Sequence, residues 1–304
     1  MASYQDIVLA DEPVAYWAMD EDTGTILYDD SGNAYNATLG GGYTLDASGL
    51  LINSAAGCVQ FNGSTGYATI PQRNAFACMS QNGIFSVEVC TALTDYTLAE
   101  SNLLVGNTAV SSQTGFAVYH DNRVDQKAIK LTIYRSQTGN YVLDSLWANV
   151  LLDNNPHHFL FVGNGVSCTC YVDGVAQSPV NFGIFTTNNP SADLRIGADI
   201  SFSHPARARI GPIAFFDKQL TPQQIQQHYK YARVLLVTMT GQCLFNGSAA
   251  DIVTVDDAST HQLIETAVPD VDGNWSADVL PGDYYVAAFK DGCAPRSHGP
   301  YTVS

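Results

Sequence analysis

Carboxylate side chains are the first to consider for catalysis, because glycoside hydrolysis needs two of them, and alternate positions of one strand place two on the same face. The chain contains only five glutamates. Glu88 lies in an apolar stretch, where Val89 and Cys90 follow it instead of a second acid, and no Glu-x-Asp-x-x-Glu pattern occurs. No Gly-x-Ser-x-Gly sequence presents a serine nucleophile. A Ser/His/Asp triad stays open, but the sequence predicts a protein that is not an enzyme and assigns no catalytic residues.

One loop has the composition of a calcium site. Calcium takes about six to eight oxygen ligands, which carboxylates, amides and backbone carbonyls supply. Residues 29–33 read Asp-Asp-Ser-Gly-Asn and offer several such oxygens. The same residue types also form Asx turns, in which the side chains bond to their own backbone. From the residues alone, both interpretations stay open.

Aromatic side chains beside hydrogen-bonding ones could bind a sugar. The candidate segments are residues 119–123 (Tyr-His-Asp-Asn-Arg) and Tyr134–Arg135, with Trp147 as a further candidate. Tyr and Trp at such positions more often belong to a core or its rim. The ligand-binding residues are therefore unknown at this level.

The histidines and cysteines are expected to be structural. His157 and His158 precede a strand, and no second type of metal ligand shares the helical face of His228. Cys168 and Cys170 alternate with polar residues, so they share one strand face, and free cysteines are often buried. No CxxC pair occurs among the seven cysteines, which are Cys58, Cys78, Cys90, Cys168, Cys170, Cys243 and Cys293.

The elements that must position these residues are mostly strands. Short runs of Val, Ile, Phe, Tyr and Thr recur between Asn-Gly and Asp-Gly turns, which is typical of an antiparallel sandwich. One helix is predicted over Thr221–Ala232, with Thr221 and Gln224 forming a capping box and Pro222 in the first turn. A new strand pattern begins after it. The sequence thus predicts two all-β domains, residues 1–232 with a short helix at the end and a smaller sandwich over residues 233–304.

Charge and hydropathy narrow the class of protein. The 304 residues include 13 Lys and Arg against 29 Asp and Glu, a net charge of −16. Nucleic-acid binding is not expected, because it requires clustered basic side chains. No apolar run approaches the roughly 18 residues of a membrane span, and the first residues lack the pattern of a secretion signal. We therefore expect no membrane insertion and no routine export.

The order of motifs over residues 5–232 resembles the laminin-G-like, concanavalin-type jelly-roll family, in its bacterial and viral branch. The matching residues are Pro13, Tyr16, Trp17, Glu21, Gly24, Thr25, Asp30, Ser31, Gly32, Asn33, Phe61, Asn62, Gly63, Ser64, Tyr67, Ile70, Pro71, Phe85 to Glu88, His158, Tyr171 to Gly174, Leu194, Ile196, Gly197, Leu220, Thr221, Ile225, His228 and Tyr229.

This resemblance implies an antiparallel jelly roll and favours Asp30 and Asn33 as calcium ligands. The chain departs from the family on the last strand. Many relatives carry Asp-Glu where this chain has Gly211-Pro212, and this loss removes two oxygen donors. Calcium is the only cofactor predicted.

Residues 233–304 resemble a small prealbumin-like sandwich, through residues 272–275 (Asp-Gly-Asn-Trp) and 281–285 (Pro-Gly-Asp-Tyr-Tyr). The ending, residues 291–303, is similar to the ends of tail and fibre proteins of bacteriophages. Trp275 alternates with polar neighbours and is expected to anchor the core.

Together these resemblances predict a structural protein of a bacteriophage virion, as a tail, fibre or decoration component. It would assemble in the host cytoplasm, contact other virion proteins, form a homo-oligomer and touch host-surface glycan. The alternative is a non-viral, lectin-like carbohydrate-binding module.

Overall fold

A computed structural model describes residues 3–52, 56–71, 73–95, 101–108, 114–121, 128–134, 141–148, 154–182, 192–233, 237–258, 261, 263–279 and 282–303. The chain divides into two compact units, Met1–Arg233 and Val234–Ser304. Antiparallel strands dominate both of them, which confirms the predicted all-β class. Within the described ranges, no helix is long and apolar enough to span a bilayer.

The first unit is a sandwich of two large antiparallel sheets. Its strands, in chain order, are β1 (Ala15–Trp17), β2 (Ile26–Leu27), β3 (Ala37–Gly40), β4 (Tyr43–Ala47), β5 (Cys58–Phe61), β6 (Tyr67–Ile70), β7 (Ile84–Leu93), β8 (Ser101–Gly106), β9 (Phe116–Asp121), β10 (Ala128–Tyr134), β11 (Tyr141–Ala148), β12 (His157–Asn164), β13 (Ser167–Val172), β14 (Val175–Ala176), β15 (Val180–Asn181), β16 (Leu194–Ile196) and β17 (Ala208–Phe216).

Strands that are distant in sequence lie side by side in both sheets. The nine-stranded sheet runs β14-β13-β12-β7-β17-β5-β4, with β1 beside β17 and β15 beside β13. The eight-stranded sheet runs β11-β10-β9-β8-β16-β6-β3-β2. These long-range pairings confirm the jelly roll. The Gly211-Pro212 pair lies at an irregularity of β17, between Ile210 and Ile213, where a bulge tolerates a proline.

The core between the sheets is built by period-two alternation. Cys168 and Cys170 are buried, as predicted, and their polar neighbours on β13 are only half-buried. Strand β7 differs because nearly all of its side chains are buried. Val87 and Val89 face the core between the sheets, whereas Cys90 belongs to a second apolar cluster on the opposite face. That second face is the one that helices cover.

Two helices make this cover, α1 (Tyr4–Ala10) and α3 (Pro222–Arg233). They contribute to the second apolar cluster through residues such as Tyr4, Val8 and Ile225. Helix α3 confirms the predicted helix and its capping box, since Gln224 Oε1 accepts from Thr221 N at 2.8 Å and Thr221 Oγ1 accepts from Gln224 N at 3.3 Å. Helix α1 was not anticipated. The remaining helical turns are a 3₁₀ helix at Arg73–Phe76 and α2 at Cys78–Gln81.

The second unit has its own core around Trp275, as predicted. Its strands are β18 (Val237–Gln242), β19 (Leu244–Phe245), β20 (Ser248–Ala249), β21 (Ile252–Asp257), β22 (Leu263–Ala267), β23 (Asn274–Val279), β24 (Gly282–Phe289) and β25 (Arg296–Val303). Strands β22-β21-β24-β25 form one sheet, while β18 pairs with β23 and β19 with β20.

Candidate functional site

Of the aromatic residues singled out for sugar binding, Tyr134 is half-buried at the end of β10 and the others are buried. Tyr119, His120, Asp121 and Trp147 are buried. The Trp147 indole packs in the core, and its Nε1 donates to the carbonyl of Ser178 at 3.2 Å. These side chains serve the interior, which was the alternative interpretation. Three other candidates, Asn122, Arg123 and Arg135, lie outside the described residues.

A different group forms an aromatic surface on the first unit, and we call Tyr67, Arg195 and Phe202 the aromatic–arginine cluster. The Arg195 guanidinium carbon lies 4.4 Å from the centroid of the Tyr67 ring and 5.5 Å from that of Phe202. The two rings meet edge to face, with centroids 5.5 Å apart. Phe202 is 39 % exposed. Nη1 of Arg195 is buried and has no hydrogen-bond partner among the described residues.

Neighbouring strands position this cluster. Arg195 on β16 is paired with Thr69 on β6, and Tyr67 lies two residues before Thr69, on the same face of the eight-stranded sheet. Tyr67 is paired with Gly40 on β3, where an added Cβ would lie only 2.7 Å from the tyrosine ring. Glycine at this position therefore allows the ring to lie across the sheet.

A tightly bonded loop presents Phe202. The Asp199 carboxylate accepts hydrogen bonds from Ser201 N at 3.0 Å, Ser203 N at 2.9 Å and His204 Nδ1 at 2.8 Å. Burial alone would raise the pKa of Asp199, but these bonds stabilise the carboxylate and lower its pKa to about 2. Phe202 itself adopts a left-handed backbone conformation with φ of 55°. The loop thus holds the exposed ring in a fixed position.

The cluster can perform one kind of chemistry, which is binding. Aromatic faces pack against the apolar face of a sugar, and a guanidinium donates hydrogen bonds to its oxygens. Arg195 has a weak signal in the sequence, because Leu194 and Ile196 on either side of it point into the core. Nothing local marked Phe202, which reaches the cluster through the conformation of its loop.

Glu88, the carboxylate on β7 that was considered for catalysis, is completely buried. It belongs to a group of side chains that we call the Glu88 cluster, which consists of Glu88, Tyr4, Asp11, His158 and His228. Glu88 Oε1 accepts from Tyr4 Oη at 2.7 Å and also contacts His158 Nε2. Glu88 Oε2 contacts His228 Nδ1 at 2.7 Å, and His228 Nε2 lies 3.0 Å from Asp11 Oδ2. The side chains of Glu88, His158 and His228 are 0 % exposed.

The cluster joins the covered face of the nine-stranded sheet to both helices. Glu88 and His158 project from the adjacent strands β7 and β12, whereas Tyr4 lies on α1 and His228 on α3. Asp11 caps the carboxyl end of α1 and also accepts from Gln224 Nε2 at 2.5 Å. These bonds tie the ends of the unit, which are far apart in sequence, to its central strands.

The charges of the Glu88 cluster follow from its geometry. His228 has a carboxylate at each ring nitrogen, so both nitrogens carry a proton. Burial by itself would lower the pKa of His228, but Glu88 and Asp11 outweigh it and raise that pKa. Burial would likewise raise the pKa of Glu88, but His228 and His158 hold it well below its usual range. The cluster is a buried ion pair without access to a substrate.

The predicted calcium loop is held by its own hydrogen bonds. Both oxygens of the Asp29 carboxylate accept from backbone N–H groups, those of Tyr16, Ser31 and Tyr35, at 2.9 to 3.0 Å. Asp30 Oδ2 accepts from a glutamine side chain at 3.1 Å, and the Asn33 amide nitrogen donates to a backbone carbonyl at 2.9 Å.

The bond from Ser31 N to Asp29 Oδ1 forms an Asx turn, as the alternative interpretation expects, whereas Asp30 and Asn33 contact Gln5 and Val14 in the preceding part of the chain. Across the described part of the chain, no group of three or more His, Cys, Asp or Glu side chains is placed to hold a metal ion. Calcium bound by Asp30 and Asn33 stays a prediction.

The sandwich of two antiparallel sheets is the architecture of concanavalin-type lectin domains. The sequence matches the family model described as the concanavalin A-like lectin/glucanases superfamily over residues 62–226, just over half of the chain. The chain belongs to this superfamily. Comparison with curated protein sequences found no match.

Solved structures with this fold include binding domains and enzyme modules. The binding domain of botulinum neurotoxin DC, solved with rat synaptotagmin II, aligns with a TM-score of 0.57 and 10 % identity, over 95 % of this chain and 74 % of that one. Domain 4 of AbnA, an extracellular arabinanase from Geobacillus stearothermophilus solved with arabinotriose, aligns with a TM-score of 0.52 and 16 % identity, over 72 % of this chain and 98 % of that one.

The sialidase of Trypanosoma rangeli, solved with sialic acid, aligns with a TM-score of 0.50 and 15 % identity, over 72 % of this chain and 33 % of that one. At these identities the alignments establish a shared lectin-like fold.

Proposed function

We propose that this chain is a non-enzymatic glycan-recognition protein whose first unit binds a sugar at the aromatic–arginine cluster. The observation that carries the proposal is the exposed Phe202 ring, fixed beside Tyr67 and Arg195 on one sheet of a lectin-type sandwich. Stacking surface and hydrogen-bond donor lie together there, which is the combination that sugar recognition uses. The sugar complexes of the arabinanase domain and the sialidase give the proposal support by analogy.

The absence of catalysis is part of the proposal and rests on Glu88. In glycoside hydrolysis, both the general acid and the nucleophile are carboxyl groups that must reach the substrate. Both oxygens of Glu88 are engaged by Tyr4, His158 and His228 within a fully buried cluster. A polysaccharide digest that released reducing ends with this chain, and not with a control protein, would contradict this part.

The glycan proposal is tested on an array of bacterial and animal glycans, followed by calorimetry on any hit. Arg195→Gln and Phe202→Ala should each weaken binding at least tenfold, because each removes one half of the recognition surface. Arg209→Gln is the matched control. It removes the same charge from the opposite sheet, where Arg209 Nη1 donates to Ser48 O at 3.0 Å. Equal binding by wild type and Phe202→Ala, with both folded, would refute the proposed site.

We propose that the chain recognises glycan as a component of a bacteriophage virion. Two features favour it: the ending at residues 291–303, similar to phage tail and fibre proteins, and seven cysteines that form no disulfide. A structural component that acts at the particle surface would form a homo-oligomer and contact other virion proteins. Mass spectrometry of purified particles should detect the chain. Its absence from particles, together with specific glycan binding, would favour the non-viral lectin-like module instead.

A further inference from the structure

The second unit contains a cleft of its own, of about 380 Å³. One wall is formed by residues 239–243, mostly on β18, and by Trp275 on β23. The other wall is formed by Val286 and Ala288 on β24 and by side chains of β25. A volume in the range of roughly 300–1,000 Å³ suits a small organic ligand. The cleft is therefore large enough for a sugar residue.

Basic groups are concentrated at this cleft although the unit is acidic. Residues 234–304 contain nine acidic side chains and two basic ones, Lys290 and Arg296. Arg296 and His298 both line the cleft. They are the cross-strand partners of Ala288 and Val286, and paired residues share a sheet face. A guanidinium and an imidazole thus lie side by side above an apolar floor.

Arg296 is held in place before any ligand arrives. Its guanidinium carbon lies 4.8 Å from the centroid of the Phe245 ring, and Nη1 donates to the carbonyl of Leu244 at 3.4 Å. Stacking of this kind restricts the side chain and reduces the entropy lost on binding. A planar guanidinium with further N–H groups is suited to a carboxylate.

Two aromatic residues, Trp275 and Tyr301, also line the cleft, and Trp275 has an unsatisfied donor. Trp275 is 8 % exposed, and its Nε1 has no hydrogen-bond partner among the described residues. This nitrogen lies against Gly241, where an added Cβ would be only 2.8 Å away. Tyr301 is 47 % exposed at the rim. A buried donor without a partner costs free energy, which an oxygen-rich ligand could recover.

The strand beside the cleft is poorly suited to bind another strand. Strand β25 is the outermost strand of its sheet, and nearly all of its side chains are exposed. Pro300 lacks the N–H that a sheet edge needs, and a basic side chain on an edge strand opposes pairing. A compact ligand with oxygens and an apolar face fits the cleft better than a peptide strand.

We infer that this cleft binds a carboxylate-bearing sugar, such as a uronic or sialic acid residue. Arg296 and His298 bind the carboxylate, while Trp275 and Tyr301 contact the ring. This is a second binding site, on a different unit from the proposed glycan site, and it does not depend on that site.

The test is calorimetric titration of the full chain with N-acetylneuraminic acid and with galacturonic acid. Galactose and acetate are the controls, because one lacks the carboxylate and the other lacks the ring. We expect both acidic sugars to bind at least tenfold more tightly than galactose. Arg296→Gln should weaken them at least tenfold, and Trp275→Phe severalfold. Lys290→Gln is the matched control, because it removes the unit's other basic charge, and it should change affinity less than twofold.

Arg296 also contacts Leu244, so Arg296→Lys serves as a second variant. It keeps the charge, loses the planar fork and should bind more weakly than wild type with an unchanged melting temperature. Unchanged affinity in both Arg296 variants, equal affinity for galactose, or no binding at millimolar sugar would overturn the inference. Binding lost in Arg195→Gln and kept in Arg296→Gln would assign the acidic sugar to the first unit, overturning this site and supporting the proposed function. A concentration-dependent dimer that Arg296→Gln abolishes, without sugar binding, would identify a second copy as the occupant and also overturn the inference.

Discussion

Replacing Glu88 with glutamine should destabilise the first unit strongly. The side chain keeps its shape, so no cavity opens, but it loses the charge that balances the doubly protonated His228. One of the two carboxylate oxygens also becomes an NH₂ group, which must face a donor from Tyr4, His158 or His228. The loss is therefore electrostatic and separate from packing.

The magnitude follows from complete burial. The side chains of Glu88 and His228 are both 0 % exposed, so water cannot take over the lost interaction. Removing one partner of a buried ion pair typically costs about 3–5 kcal/mol. In a domain of this size about 1 kcal/mol shifts the melting temperature by roughly 2–4 °C, so a fall of roughly 6–20 °C is expected.

Urea unfolding followed by tryptophan fluorescence measures this loss, and calorimetry separates the transitions if the two units unfold independently. Glu12→Gln is the control, because Glu12 is 89 % exposed and its carboxylate lies 3.9 Å from Lys218 Nζ. It should change stability by less than about 0.5 kcal/mol. A double-mutant cycle with His228→Gln should give a coupling energy of about 2–3 kcal/mol between the two sites.

Two results would refute this reasoning. The first is a Glu88→Gln variant that is no less stable than Glu12→Gln. The second is a coupling energy near zero, which would mean that Glu88 and His228 stabilise the fold independently and that their contact has no net value.

Three further predictions follow. The pKa of Glu88 is lowered from 4.5 and that of His228 is raised from 6.5, so their joint contribution should be largest between about pH 4.5 and 6.5. This contribution to stability should decrease as the pH rises through the folded pKa of His228 or falls through that of Glu88. In urea titrations at a series of pH values, His228→Gln should remove the loss of stability on the alkaline side. If the variant keeps that loss, a group other than His228 causes it. Asp29→Ala should cost about 3 kcal/mol in urea unfolding, because the carboxylate accepts from three backbone N–H groups, and a loss below about 1 kcal/mol would contradict the stabilising role assigned to these bonds. Calcium binding at Asp30 and Asn33 predicts that a chelator lowers the melting temperature, that added calcium restores it, and that Asp30→Asn removes the effect; an unchanged melting temperature of the wild type would contradict the calcium prediction.

The fold could be predicted because its signals are local. Alternation along β13 fixed the buried face of Cys168 and Cys170, and the Thr221–Gln224 capping box marked the start of α3. Helix α1 has the same kind of cap, in which Ser3 Oγ accepts from Asp6 N at 3.1 Å. It was missed because it is only seven residues long and its apolar face is recognisable only once the sheet beneath it is known.

The candidate sites could not be predicted in the same way. Glu88, His158 and His228 are separated by 70 residues each, and Phe202 reaches Tyr67 from a loop. Aromatic type alone pointed to Tyr119 and Trp147, which the fold uses as core.

By itself the sequence therefore determined the strands, the turns, helix α3 and the family, because each depends on neighbouring residues or on motif order. Only the tertiary structure decided that the Glu88 carboxylate is buried and that the Phe202 ring is exposed. The physical reason is that the order of strands in the two sheets, and the helices covering one of them, determine which distant side chains meet and which remain in water.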